Sequence, residues 1–224
     1  MGATPRAKRN MDSGPPTALF SFDRDRERDM AERAAATRPE WLQARYRLID
    51  EVLAYRRTGA LTPDLLAACE AERKAAPWCR SQGLHRLVQL CADGHAVAAT
   101  QLDSLMMSND WRTRFAALDA CLQCCGDESS ARGLVKRGLS DRSRRVRELA
   151  ASQTLYRHLC VAALDLEAAA TDAPGDAEAK DLFSYLYYLR RNELSGTRGV
   201  YGGTREEAGD CERLWNAFRT ERRR

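Results

Sequence analysis

The sequence predicts an all-α chain of stacked antiparallel helix pairs, an α-solenoid, on three observations. A thirty-three-residue echo runs through its middle: Trp78 recurs as Trp111, and Arg114 in Thr113-Arg114-Phe115-Ala116-Ala117 recurs as Arg147 in Val146-Arg147-Glu148-Leu149-Ala150. Self-similarity at that period marks stacked units, each too small to bury its apolar face alone. Apolar residues recur at spacings of three and four, as in Trp41, Leu42, Leu48, Ile49, Val52 and Leu53, which is one stripe of a helix. Ala, Leu, Arg and Glu are abundant and β-branched runs are absent, a mixture that favours helix.

Taken in order, residues 1–20 read as a flexible arm, with Gly2, Gly14, Pro15 and Pro16 and no periodicity. A charged helix from Ser21 to about Ala36 follows and ends at Thr37-Arg38-Pro39, because proline disfavours helix at the residue before it. With the stripe at 40–57, residues 21–61 form N-terminal helices that cap the array. At Thr62-Pro63-Asp64 a capping hydroxyl, a proline at the first helical position and an acid in the first turn start the next helix. Pairs are then expected at 63–75 with 78–92, 95–107 with 111–125, 129–139 with 142–157, and 159–171 with 176–191. The breaks hold Pro77, Asn109-Asp110, Gly126-Asp127, Ser140-Asp141 and Pro174-Gly175-Asp176, all turn or cap residues. Four glycines, Gly196, Gly199, Gly202 and Gly203, make 192–204 a linker, and 205–224 reads as a last helix whose Leu214, Trp215 and Phe218 form an apolar spot that either caps the final pair, the favoured reading, or docks on a partner.

In register, Leu84, Ala117, Ala150 and Phe183 share one site, and Ser81, Arg114, Arg147 and Lys180 another. The run Asp141-Arg142-Ser143-Arg144-Arg145-Val146-Arg147-Glu148-Leu149-Ala150 resembles the second helix of a HEAT repeat, an aspartate turn followed by Val-Arg-x-x-Ala, with a weaker copy at Asp110 to Ala117. The resemblance covers residues 62–191 and implies a right-handed solenoid. It departs from the family in length, since HEAT units usually run about 40–47 residues. It also implies that Arg114, Arg147 and Asp141 brace neighbouring repeats.

The chain has 224 residues, 30% of them charged and 44% apolar, as in an ordinary soluble protein. Charged residues and prolines in place of an apolar stretch near the start argue against a secretory signal, and no apolar window nears the roughly 18–20 residues that cross a bilayer. The expected location is cytoplasmic, with no membrane partner. The eight cysteines lie in apolar helical patterns and read as reduced core thiols. Cys121, Cys124 and Cys125 share a helical face, but that spacing is what a buried stripe beside Leu118 and Leu122 needs, rather than a zinc site on turns. His85, His95 and His158 are isolated in sequence, and His85 and His158 read as helix-face residues. No phosphate loop, nucleophile elbow or zinc-protease motif is present, so no catalytic residue, metal or cofactor is expected.

The net charge of +4 hides a dipole. Residues 111–158 hold ten Lys or Arg against five acids, and 159–189 one Lys against six acids. Arg112, Lys136, Arg137, Arg142, Arg144 and Arg145 form the candidate patch for an anionic partner. The function expected is a non-enzymatic adaptor that binds a macromolecular partner, a protein first, on the concave face of the second helices. The alternatives are nucleic-acid binding through 111–158, or an enzyme on the same scaffold. HEAT-like DNA base glycosylases and chromophore lyases are the types, with Trp78 and Trp111 as their best support. A tryptophan at such a junction more often packs as a wedge.

Overall fold

The computed structural model describes residues 39–76, 81–197 and 199–223. The predicted arm at 1–20, the helix at 21–36, and Trp78 lie outside them. Among the described residues the chain is all-helical, without strands. Its helices are α1 (Pro39–Thr58), α2 (Pro63–Ala75), α3 (Gln82–Ala92), α4 (Ala96–Met106), α5 (Trp111–Cys124), α6 (Glu128–Leu139), α7 (Arg144–Tyr156), α8 (Ala163–Asp172), α9 (Asp176–Ser195) and α10 (Arg205–Arg222). A single 3₁₀ turn at Cys160–Ala162 precedes α8. No described helix is long and apolar enough to cross a membrane.

Side-chain caps start these helices: as expected from sequence, Thr62 Oγ1 accepts from the Leu65 amide and Asp127 Oδ1 from Ser130. Ser81, expected inside a helix beginning at 78, instead caps α3, its Oγ accepting from the Leu84 amide. Asp110 accepts from both Arg112 and Thr113 amides. Thr204 and Glu207 form a reciprocal capping box at α10. Helix α9 runs four residues past the expected 191 and stops at Gly196, whose φ of +69° lies in the left-handed region.

The second helices of the pairs form one row, α3 against α5, α5 against α7, and α7 against α9, while α6 lies on α8 in the other layer. Two close approaches fix how the layers meet, α3 on α2 and α6 on α5 and α7. A Cβ on Gly83 would overlap the Cys69 carbonyl of α2, and one on Gly138 would lie 2.6 Å from Leu118 Cδ2 and 2.7 Å from the Ala150 Cβ. The main core runs from Met106 through Leu118, Leu122, Val135, Leu166 and Leu182 to Trp215. A second core joins α1, α2 and α3 around Leu48, Leu65 and Leu87. Burying each such side chain contributes about 1.5–3 kcal/mol.

Helix α10 closes the far end. Trp215 is 3% exposed, with its ring centroid 5.8 Å from that of Phe183. Asp176 draws Arg219 at 3.0 Å and Arg222 at 3.1 Å, together with Arg223. The glycine-bearing segment before α10 is anchored as well as connecting: Asn192 Nδ2 donates to the Val200 carbonyl, and the Tyr201 ring packs at a tilt against those of Tyr185 and Tyr188, with centroids 5.0 Å apart.

Candidate functional site

The arginines of 111–158 divide into two populations. The larger one spans from each helix pair to the next. Arg114 enters α5 one turn from its start and is 6% exposed. Its Nε and Nη2 donate to the two oxygens of Asp141 at 2.7 and 2.8 Å, and Nη1 donates to the Ser108 carbonyl at 2.7 Å. Arg147, one repeat later on α7, makes the equivalent fork to Glu178 at 2.5 and 2.9 Å and also donates to the Asp141 carbonyl. Asp141 also accepts from the Ser143 amide, so it fixes the turn before α7 while holding α5. Desolvation pushes the Asp141 carboxyl upward, but the Arg114 fork and the Ser143 amide outweigh it and hold the pKa below the ordinary carboxylate range.

Several residues of the candidate patch share this bridging role. Arg142 donates to the carbonyls of Ser108 and Asn109 at 3.3 and 2.9 Å. Arg144 lies between Glu148 at 2.8 Å and Asp181 at 2.5 Å. Arg137 of α6 meets Asp103 of α4 at 3.2 Å. Arg132 meets Asp165 at 2.9 Å, and Arg157 donates to the carbonyls of Leu122 and Cys125. Grooves of about 570 and 330 Å³ open at these seams, and the braces line them, Arg114 in the first and Arg147 in the second.

Two patch residues behave differently. Arg112, in the first turn of α5, lies with its guanidinium carbon 5.1 Å from the centroid of Trp111. Arg145, in the first turn of α7, approaches the same indole at 5.8 Å. Both arginines are exposed, Trp111 is half-buried, and among the described residues neither arginine forms an ion pair. Lys136 also forms none, but it stands on α6, in the other layer. The patch therefore does not converge as a whole; it contracts to Trp111, Arg112 and Arg145 at the α5–α7 seam. The signal was in the echo, because Arg112 and Arg145 are themselves thirty-three residues apart.

Sequence reasoning missed Glu72, which sits in Ala-Cys-Glu-Ala-Glu-Arg-Lys and reads as a surface acid. It is fully buried. Its carboxylate accepts from Arg45 Nη1 at 2.8 Å, Trp41 Nε1 at 3.0 Å, Ser81 Oγ at 2.7 Å and the amides of Gln82 and Gly83. Those donors tie α1, α2 and the start of α3 into one unit and leave the carboxylate no room for a ligand.

Each histidine has its place. His85 Nδ1 lies 2.8 Å from the Ser81 carbonyl and Nε2 2.8 Å from Gln123 Oε1, and Gln123 in turn donates to Asp119 at 2.8 Å. Burial raises the Asp119 pKa against the opposing pull of Gln123 and His85. His95 meets the Tyr55 hydroxyl at 2.9 Å. His158 is not on a helix face: it occupies the turn after α7 with φ of +55°, where the chain reverses toward the 3₁₀ turn. Cys121 is buried, and burial pushes its thiol up to about 12; Cys124 and Cys125 are half-buried. No group of three metal-ligating side chains occurs among the described residues.

The chain matches no family model, no curated protein and no solved structure.

Proposed function

We propose that this protein is a non-enzymatic adaptor, a right-handed HEAT-like α-solenoid that presents its row of second helices to a protein partner. The observation that carries the reading is the convergence of Arg112 and Arg145 on Trp111. A cation in the first turn of a helix is disfavoured by the helix dipole by about 0.3–1 kcal/mol, whereas an acid there is favoured, and at α5 the Asp110 cap offsets part of that cost. Other helices follow the favourable pattern, with Asp64 in α2, Glu128 in α6, and Glu206 and Glu207 in α10. Helices α5 and α7 have no acid in the first turn and place arginines there instead.

Contact with the half-buried indole returns about 0.5–1 kcal/mol per arginine, and an anionic partner would supply the remaining compensation. The continuous row of second helices supports the solenoid part of the reading, since stacked helix pairs use that surface for extended binding. Thiols seated in the core, such as Cys69 and Cys121, fit a reducing compartment and hence the cytoplasm.

Photo-crosslinking tests this reading. Tyr156, exposed on α7, and Ser129, exposed on α6, are each replaced by p-benzoylphenylalanine in the full chain. The adaptor reading expects a discrete protein adduct from position 156 and none from 129. Adducts from 129 alone, or none from either, would contradict it.

A further inference from the structure

We propose that the groove of about 570 Å³ between the α4–α5 and α6–α7 pairs binds a small monocarboxylate with an apolar body, its carboxylate on Arg142 and its body against Met107. The inference goes beyond the adaptor reading and does not depend on it. Small-molecule sites span ~300–1,000 Å³ and combine an apolar lining with a few polar groups that fix orientation. Here Met106, Leu118 and Val146 supply buried apolar lining, and Met107, 74% exposed, carries that lining out to solvent.

Arg142 supplies the charge. It donates through Nη2 alone, to the Ser108 and Asn109 carbonyls and to Asn109 Oδ1, at 3.3, 2.9 and 3.0 Å. Among the described residues its Nε and Nη1 hydrogens have no acceptor, and it forms no ion pair. The carbonyls hold the side chain without cancelling its charge, which lowers the entropy lost when a ligand arrives.

The charge balance of the lining selects a monoanion. Arg114 is matched by Asp141, and Arg137 by Asp103 of α4. Asp110 stands outside the lining and accepts from the first amides of α5 and from the Thr113 hydroxyl. With these pairs counted, the one charge left over in the lining is that of Arg142. A phosphate or a polyanion brings more negative charge than that, whereas a neutral or cationic amphiphile leaves the guanidinium unanswered. A ligand in this groove touches both helix pairs, α4–α5 through Met107 and α6–α7 through Arg142, so its binding stabilises their stacking by mass action.

The test is isothermal titration calorimetry of the full chain with octanoate, and with acetate, 1-octanol and octylammonium as controls. Octanoate is expected to bind about tenfold or more tighter than each control, since acetate lacks the apolar body, octanol lacks the charge and octylammonium reverses it. R142Q is expected to weaken octanoate about tenfold and to leave octanol within about twofold, whereas M107E weakens both. R145Q alters an arginine that lies at Trp111, outside the groove, and should leave octanoate within about twofold. Octanoate should also raise the unfolding temperature of wild type and R145Q, but not that of R142Q.

A ligand-free unfolding temperature equal to that of wild type establishes that R142Q is folded; if it is not, M107E and the four ligands on wild type still decide. Equal binding of octanoate and octylammonium by wild type, octanoate binding unchanged in R142Q, or no octanoate binding by wild type would overturn the inference. Octanoate binding lost in R145Q and kept in R142Q would move the carboxylate to Trp111 and discard the groove. None of these outcomes alters the crosslinks expected from position 156, so the groove and the adaptor reading stand or fall separately.

Discussion

Arg114 and Asp141 meet across two consecutive helix pairs as a two-pronged ion pair, 2.7 and 2.8 Å long, with their side chains 7% and 13% exposed. The same aspartate accepts from the Ser143 amide in the turn before α7, so one carboxylate ties the two helix pairs together. Removing one partner of a buried pair strands the other charge, a loss of about 3–5 kcal/mol.

The pair predicts a pH dependence. Asp141 has a folded pKa below its unfolded value, so its contribution is fully present above about pH 4 and is lost as pH falls through the folded value. Urea unfolding of wild type and Asp141→Asn should therefore show a stability gap that is constant from about pH 7 to pH 5 and narrows toward pH 3. A gap of the same size at pH 3 would mean that the contact does not act through charge.

The seam glycines predict steric losses. Gly138→Ala drives a methyl against Leu118, whose side chain can repack, and against the Ala150 Cβ, which moves only with α7, and should destabilise by about 1–3 kcal/mol. Gly83→Ala meets the backbone of Cys69, which cannot yield without shifting α2, so its loss should exceed that of Gly138→Ala. Chemical denaturation of the two variants side by side checks the order, and the reverse ranking would contradict the packing of α2 on α3.

Thiol chemistry gives a third expectation. Cys69 and Cys121 are buried and their thiols are pushed up to about 12, chiefly by desolvation, so almost no thiolate exists at pH 8. Iodoacetamide on the native protein followed by peptide mass mapping should leave both unmodified, with labelling only after denaturant is added. Native labelling of Cys121 at the rate of a free thiol would argue that α5 opens readily.

Much of the helical order was legible because it is written locally. Thr62-Pro63, Asp127 and Thr204 with Glu207 are caps readable from a few residues, and their helices begin at 63, 128 and 205, against the expected 63, 129 and 205. The bracing arginines were legible through the period that repeats them. Glu72 was not, because its donors Trp41, Arg45 and Ser81 come from other elements and nothing around it in sequence marks it as buried. The run Arg142, Arg144, Arg145 looked like one patch because sequence carries no direction. Arg142 stands in the turn and reaches back to Asn109, while helical rotation of about 100° per residue sends Arg144 toward Asp181 and Arg145 toward Trp111.

That division of the arginines is tested most directly by thermal unfolding at pH 7 of two double variants, R114Q/R147Q and R112E/R145E. The first removes two inter-pair braces and should lower the unfolding temperature by more than about 10 °C, taking about 3 kcal/mol per brace and 2–4 °C per kcal/mol for a chain of this size. The second alters two arginines that form no ion pair among the described residues and should stay within about 2 °C of wild type. Equal losses in the two variants would contradict the separation of braces from the Trp111 face.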